Sequence, residues 1–400
     1  MARTPNLRWL TERTAGRGTL ITASTVHLTN DACFALLYPL LPFIAEDLEL
    51  SYTQVGLLKA TFSGASAALQ IPAGALGMRY GEALVLLLGN IWVGLGLVLM
   101  ALTGSYVLLL GAAVLGGIGG NAQHPLAASL VSKSVPRKQM ATAMGTLNFS
   151  GDLGKLAGPF IAGIIATQYG WRAALGVVGL FTAITTAGLL ARDRSDNAKR
   201  ATEPKPLTSL DIGAVKKGFH YILLAGGLDN ATRGAALTFI PFVLADKGFN
   251  AAAISALFGV IFAAGAAGKF ACGWLSDRWG ILTVIVVTEL TTATALVAMV
   301  FAESWMTIPL AILFGFALNG TSSALNVAVA HFVPADKRAR GYGTYFTAAL
   351  VSSALAPLAY GMLGDIAGLV TVFMVMAVLT VAVIAVVLPI RQVLMRSDQV

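Results

Sequence analysis

His27 and Asp31 stand four residues apart inside a largely apolar run, about 20–44, with Asn30 between them. On a helix that spacing puts histidine and aspartate on one face, one turn apart. An imidazole that titrates near about pH 6.5 beside a carboxylate can hand a proton to and fro. Apolar surroundings disfavour the charged form of a carboxylate. Asp31 is therefore expected to carry a proton, with His27 sharing it and Asn30 bonding a ligand or partner in either state.

Other ionisable groups recur in similar runs. Asp152 and Lys155 are three apart, and Asp229 and Arg233 four apart, both spacings that make helix neighbours. His124, Lys269, Lys59 and Glu289 complete the set. A charge at bilayer depth costs about 2.5–3.5 kcal/mol on insertion scales, so each such group is a candidate for pairing or function. Asp229 is the second candidate proton carrier. Arg233, Lys155 and Lys269 would give a site a basic side, and arginine can grip a carboxylate, phosphate or phosphonate at two points. Tyr38, His124 and Asp152 complete the expected ligand-binding set. Plainer roles stand beside these. Both i, i+3/4 pairs can be internal salt bridges, Lys269 can snorkel to a membrane surface, and His124 can bond a carbonyl freed by Pro125. Lys59 and Glu289 read as interfacial or packing groups.

The elements that hold these residues follow from composition. Of 400 residues, 56% are hydrophobic and 12% charged, against about 25% charged in soluble domains. Twelve segments can cross a bilayer, at about 20–44, 52–76, 84–103, 106–131, 140–167, 172–191, 219–245, 251–275, 281–302, 306–332, 340–364 and 369–390. The expected fold is all-α, with domains at 1–191 and 219–400 joined by a polar, cytosolic linker at 192–218. Arginines and lysines before the first span, after the fourth and tenth, in the linker and at the C-terminus put both termini in the cytoplasm of a cell inner membrane. That bias accounts for the net charge of +8 without a nucleic-acid partner. Cys33 and Cys272 form no ligand cluster, and no nucleophile–base pair or cofactor loop is visible. No catalytic residue, metal or cofactor is expected; the working unit is read as a monomer.

The halves repeat each other. "GALGMRYG" from Gly74 and "GWLSDRWG" from Gly273 lie 199 residues apart, and Pro159 and Pro357 lie 198 apart. Six spans plus six, related by duplication, is the plan of carriers that rock around a midplane site.

At these motifs the chain resembles the major facilitator superfamily, whose loop after the second span reads roughly G-x-L-x-D-R-x-G-R. The second copy carries Gly273, Leu275, Asp277, Arg278 and Gly280; the first keeps Gly74, Leu76, Arg79 and Gly81 but has Met78 and Gly77 around the aspartate position and Glu82 in place of a basic residue. The resemblance implies a latch between halves at this loop, weakened where the aspartate is missing. Gly154, Gly158-Pro159 and Ala162-Gly163 resemble the antiporter motif of the fifth span. "HLTNDACFALLYPLLP" and "GGIGGNAQHPLAASLVSK" resemble the fosmidomycin-resistance group. The resemblance implies two pseudo-symmetric six-helix bundles, alternating access, and export of a small anionic or amphipathic compound against protons. A proton-coupled importer of a small organic anion, or a non-transporting receptor on the same scaffold, are the alternatives.

Overall fold

The computed structural model describes residues 15–68, 70–120, 123–136, 139–192, 218–333 and 338–395. Nearly all of the linker expected at 192–218 lies outside them. The first half runs α1 (Ala15–Ala35), α2 (Leu37–Asp47), α3 (Tyr52–Ala68), α4 (Gln70–Tyr80), α5 (Glu82–Ala101), α6 (Tyr106–Ile118), α7 (Gln123–Ser134) and α8 (Met140–Arg192). The second runs α9 (Phe219–Asp246), α10 (Ala251–Trp279), α11 (Ile281–Phe301), α12 (Thr307–Phe332), α13 (Arg338–Val387) and α14 (Arg391–Met395).

Among the described residues eight stretches are long and apolar enough to cross a membrane, two of them about twice the needed length. In those two, Gly170 (φ 81°) and Gly368 (φ 79°) turn the chain back, so α8 and α13 supply two spans each. A positive φ is open to glycine at little cost, which is why a sharp reversal fits here. With α3–α4 and α9 the count is twelve spans, six per half, in the twofold plan expected from the repeat. Gly81 and Gly280, the closing glycines of the two loop motifs, also sit at positive φ (98° and 80°), where spans two and eight give way to three and nine.

The halves meet at one end and part at the other. One apolar core joins both halves at the end remote from the termini, with Leu37, Leu40 and Phe62 beside Phe239, Phe258 and Phe373. Toward the end where α1 and α9 begin, the core divides into two clusters. One holds Val26, Leu86 and Leu126; the other Ile222, Ile285 and Phe332. Close backbone packing follows the same gradient. A Cβ on Gly56 would come within 2.1 Å of the Pro357 carbonyl oxygen, and one on Gly163 within 2.4 Å of Ser255. Deeper, a Cβ on Gly259 would meet only Leu156, at 4.0 Å, and one on Gly64 nothing within 4 Å. A cleft between the halves thus opens toward the terminus-bearing end.

A carboxylate seals the remote end. Asp365 accepts hydrogen bonds from the first two backbone amides of α3, Tyr52 N at 2.7 Å and Thr53 N at 2.9 Å. It caps the positive end of that helix from the opposite half. Burial works to raise the Asp365 carboxyl, but bonds from Thr53, Ser51 and the Tyr52 backbone outweigh it and hold the group below the ordinary carboxylate range. The seal is therefore complete above the ordinary carboxylate pKa and is lost only as pH falls below it, so it does not titrate near neutrality. Asp365→Ala is expected to cost about 1 kcal/mol, the usual value of a lost helix cap, shifting the closed-to-open ratio about fivefold. Spin-label distances between α3 and the 364–368 turn measure that shift; an unchanged distribution would remove Asp365 from the seal.

Candidate functional site

Small residues bring the charged faces together. A Cβ on Gly154 would lie 2.1 Å from the Leu28 carbonyl oxygen and one on Gly158 2.6 Å from the Ala32 Cα, so α8 packs directly on α1. One turn before Gly154, Gly151 faces His27 and Asp31, where an added Cβ would meet His27 Nε2 at 2.5 Å. The glycines expected to form an antiporter motif thus set the α1–α8 distance, and Pro159 lies within that helix.

That approach delivers Lys155 to Asp31, with Nζ 2.9 Å from Oδ2. His27 Nε2 lies 3.4 Å from the same oxygen and His124 Nε2 3.9 Å from Oδ1. The two imidazoles meet edge to face with centroids 4.9 Å apart. Asp31 and His27 are buried, whereas the His124 side chain, from α7, is half exposed. The apolar surroundings expected of Asp31 are replaced by an ammonium and two imidazoles, because α7 and α8 fold onto the polar face of α1. His27, Asp31 and His124 offer ligand atoms within 4.8 Å of one another. The expectation of no metal cluster rested on the cysteines; the fold assembles such a trio from elsewhere, with Lys155 already supplying its positive charge.

The ion chain continues across the cleft. Lys155 also lies 3.4 Å from Asp152 Oδ1, and Lys269 of α10 donates to that same oxygen at 2.9 Å. Lys269 therefore does not snorkel to a surface; it bridges the second half to the first. Lys155, Asp152 and Lys269 keep 34%, 25% and 44% of their side-chain surfaces open, which makes them reachable from the cleft.

In the second half Arg233 donates to Asn319 Oδ1 at 2.7 Å, and also to Ser322 Oγ and the Leu318 carbonyl of α12. Its expected partner Asp229 is 3.9 Å away and accepts from Ser322 at 3.2 Å. The i, i+4 pair is present but loose, because α12 presents better oriented acceptors.

Asn30 departs from the expected site. It is 2% exposed and donates to Asn90 Oδ1 at 3.2 Å, on the side of α1 that packs against α5. Consecutive helix residues project about 100° apart, so Asn30 and Asp31 serve different neighbours. Lys59 and Glu289 are not interfacial; they are 3% and 1% exposed. Lys59 is the group that sequence reasoning undervalued. Its Nζ sits 4.1 Å from the Tyr38 ring centroid, and Tyr38 stacks on Phe258 of the other half at 6.1 Å. Among the described residues no carboxylate lies within ion-pair distance of it. A cation without an anion at the closed roof of the cleft was signalled only by a lysine in an apolar run.

The loop motifs form no ion pair between halves among the described residues. Arg79 lies over Tyr80 at 5.3 Å and Arg278 over Trp274 at 4.5 Å, while Gly74 and Gly273 have no backbone close to them. Asp277 takes part in no ion pair there either. Glu82 instead binds Lys133 and Ser129 of its own half, both at 2.7 Å. The implied latch is undone at this end because the halves have parted there.

Comparison with known proteins agrees with this architecture. The family pattern described as Major Facilitator Superfamily matches residues 23–226 and 222–397. The fosmidomycin resistance protein of Escherichia coli (strain K12) is 27% identical over 370 residues, covering 90% of each chain. The multi-drug resistance efflux pump PmrA of Streptococcus pneumoniae is 29% identical over 185 residues, covering 44% of this chain and 46% of that protein. Among solved structures, a bacterial homolog of the human lysosomal transporter Spinster, inward-facing and unoccupied, superposes with a TM-score of 0.82. At 16% identity, over 96% of this chain and 98% of that one, it shows the fold alone. With twelve spans in two repeats and both repeats matched, the chain belongs to the Major Facilitator Superfamily and is a membrane transporter of small molecules, not an enzyme.

Proposed function

We propose that this transporter exports a small anionic or amphipathic compound, drug-like or phosphonate-like, in exchange for protons by alternating access. The observation that carries the reading is the ion chain Asp31–Lys155–Asp152–Lys269, which starts at a buried carboxylate flanked by two histidines and ends on the opposite half. A proton on Asp31 releases Lys155 toward Asp152, where it competes with Lys269. An anion in the cleft draws Lys269 off the same carboxylate. Either load opens the bridge between halves, whereas the empty, deprotonated carrier keeps it and stays in place. Arg233, Lys155, Lys269 and Lys59 supply the positive field for the anion, and Tyr38 an apolar face. His27 and His124 relay the proton, and Asp229 is a second acceptor. The positive-inside bias supports an orientation with the open cleft and both termini on the cytoplasmic side of an inner membrane, with 192–218 linking the domains. The protein works as a monomer.

Relatives named as resistance and efflux proteins support export. A relative named monocarboxylate transporter 11, from Mus musculus, is 25% identical over 366 residues and keeps proton-coupled import of an organic anion as the second reading. Flux in proteoliposomes under an imposed pH gradient decides between them, with fosmidomycin and a monocarboxylate as probes. Antiport predicts accumulation on the side with more protons; import by symport predicts the reverse. Flux indifferent to the gradient would defeat both.

A further inference from the structure

The repeat places Asp229 and Glu289 exactly one offset, 199 residues, beyond Asn30 and Asn90. In the first half those two amides bond to each other at 3.2 Å, and Asn90 Nδ2 also donates to Thr29 at 2.9 Å and Thr186 at 2.8 Å. The second half puts two carboxyls at the same junction of α9 and α11. Both are buried, at 3% and 1% exposed, on two helices that touch one another. Glu289 Oε1 is buried with no hydrogen-bond partner.

Two ionised carboxylates have acceptors only, so they cannot reproduce the amide contact; one protonated carboxyl supplies the missing donor. Charge leads to the same count. The titratable groups facing Glu289 are Asp229 and Arg233 on α9 and Tyr345 on α13, with Cys272 of α10 beside the adjoining Thr288. Arg233 is the single cation among them, and its guanidinium is held mainly by neutral acceptors on α12. Both acids ionised would leave one negative charge uncompensated in an apolar bundle, which like charges at short range do not tolerate. One proton on the pair brings the balance to zero.

We propose that Asp229 and Glu289 share one proton, forming a proton-binding site in the second half separate from the Asp31 cluster. Arg233 links that site to the cleft, because the guanidinium that balances the pair is also available to an anionic ligand. The sharing is an equilibrium property and does not depend on the antiport reading.

Infrared difference spectroscopy of the purified protein in lipid, titrated with acid and base, tests it without a substrate. The wild type is expected to show one carboxylic-acid carbonyl band at neutral pH, sensitive to deuterium exchange. Glu289→Gln and Asp229→Asn should each remove it, since the remaining acid is then balanced by Arg233, while Asp31→Asn should keep it. Both substitutions are nearly isosteric, and helical circular dichroism checks folding; if one fails to fold, the other still decides. No band in the wild type, or a band that survives either substitution, would overturn the proposal. Flux measurements can fail or succeed without altering this result.

Discussion

Asp31→Asn is expected to abolish pH-driven uphill transport while leaving the fold and gradient-free exchange in place. Asn preserves the shape of the carboxyl but cannot take up a proton, and it removes the anion that holds Lys155 at 2.9 Å. With no proton to bind at this position, the gradient is no longer linked to substrate movement, so uphill flux should fall to the level seen without a gradient. Lys155 keeps Asp152, 3.4 Å away, and that second partner is why the helix pair should survive. The measurement compares proteoliposome flux under a pH gradient with counterflow at equal pH. Loss of both would mark Asp31 as structural, and retention of both would end its assignment as the proton carrier.

Lys59→Met is expected to raise KM for an anionic substrate at least about tenfold without lowering thermal stability. The ammonium is 3% exposed and lies over two rings, Tyr38 at 4.1 Å and Phe62 at 5.9 Å. A cation–π contact is worth about 0.5–2 kcal/mol, less than the several kcal/mol that burying an ion costs. Methionine fills similar space without that cost, so unfolding should occur at the same temperature or higher. A hydrogen bond from a charged group contributes about 1.5–3 kcal/mol, which sets the tenfold floor when an anion loses this partner. Flux kinetics with fosmidomycin and thermal unfolding of purified protein are read together. Destabilisation with an unchanged KM would make Lys59 a packing residue.

The sequence by itself determined the membrane class, the twelve spans, the duplication and which charged residues fall inside the spans. These are properties of composition and period. An apolar run long enough to span a bilayer has to be helical, because no water is present to bond its backbone. The pairs Asp152–Lys155 and Asp229–Arg233, and the face shared by His27 and Asp31, were likewise legible, since helical spacing alone fixes which side chains are neighbours. Tertiary structure decided everything that crosses between helices. Lys155 answers to Asp31 as well as to Asp152, Lys269 crosses to the opposite half, and Arg233 turns to Asn319. Asn30 leaves the cleft for Asn90, and Lys59 stands at its roof with no ion pair among the described residues. The physical reason is that period fixes a residue's face on its own helix, while the neighbour met by that face depends on how closely two backbones approach. Here that distance is set by Gly151, Gly154 and Gly158, whose missing side chains let α8 carry its lysine to the carboxylate of α1.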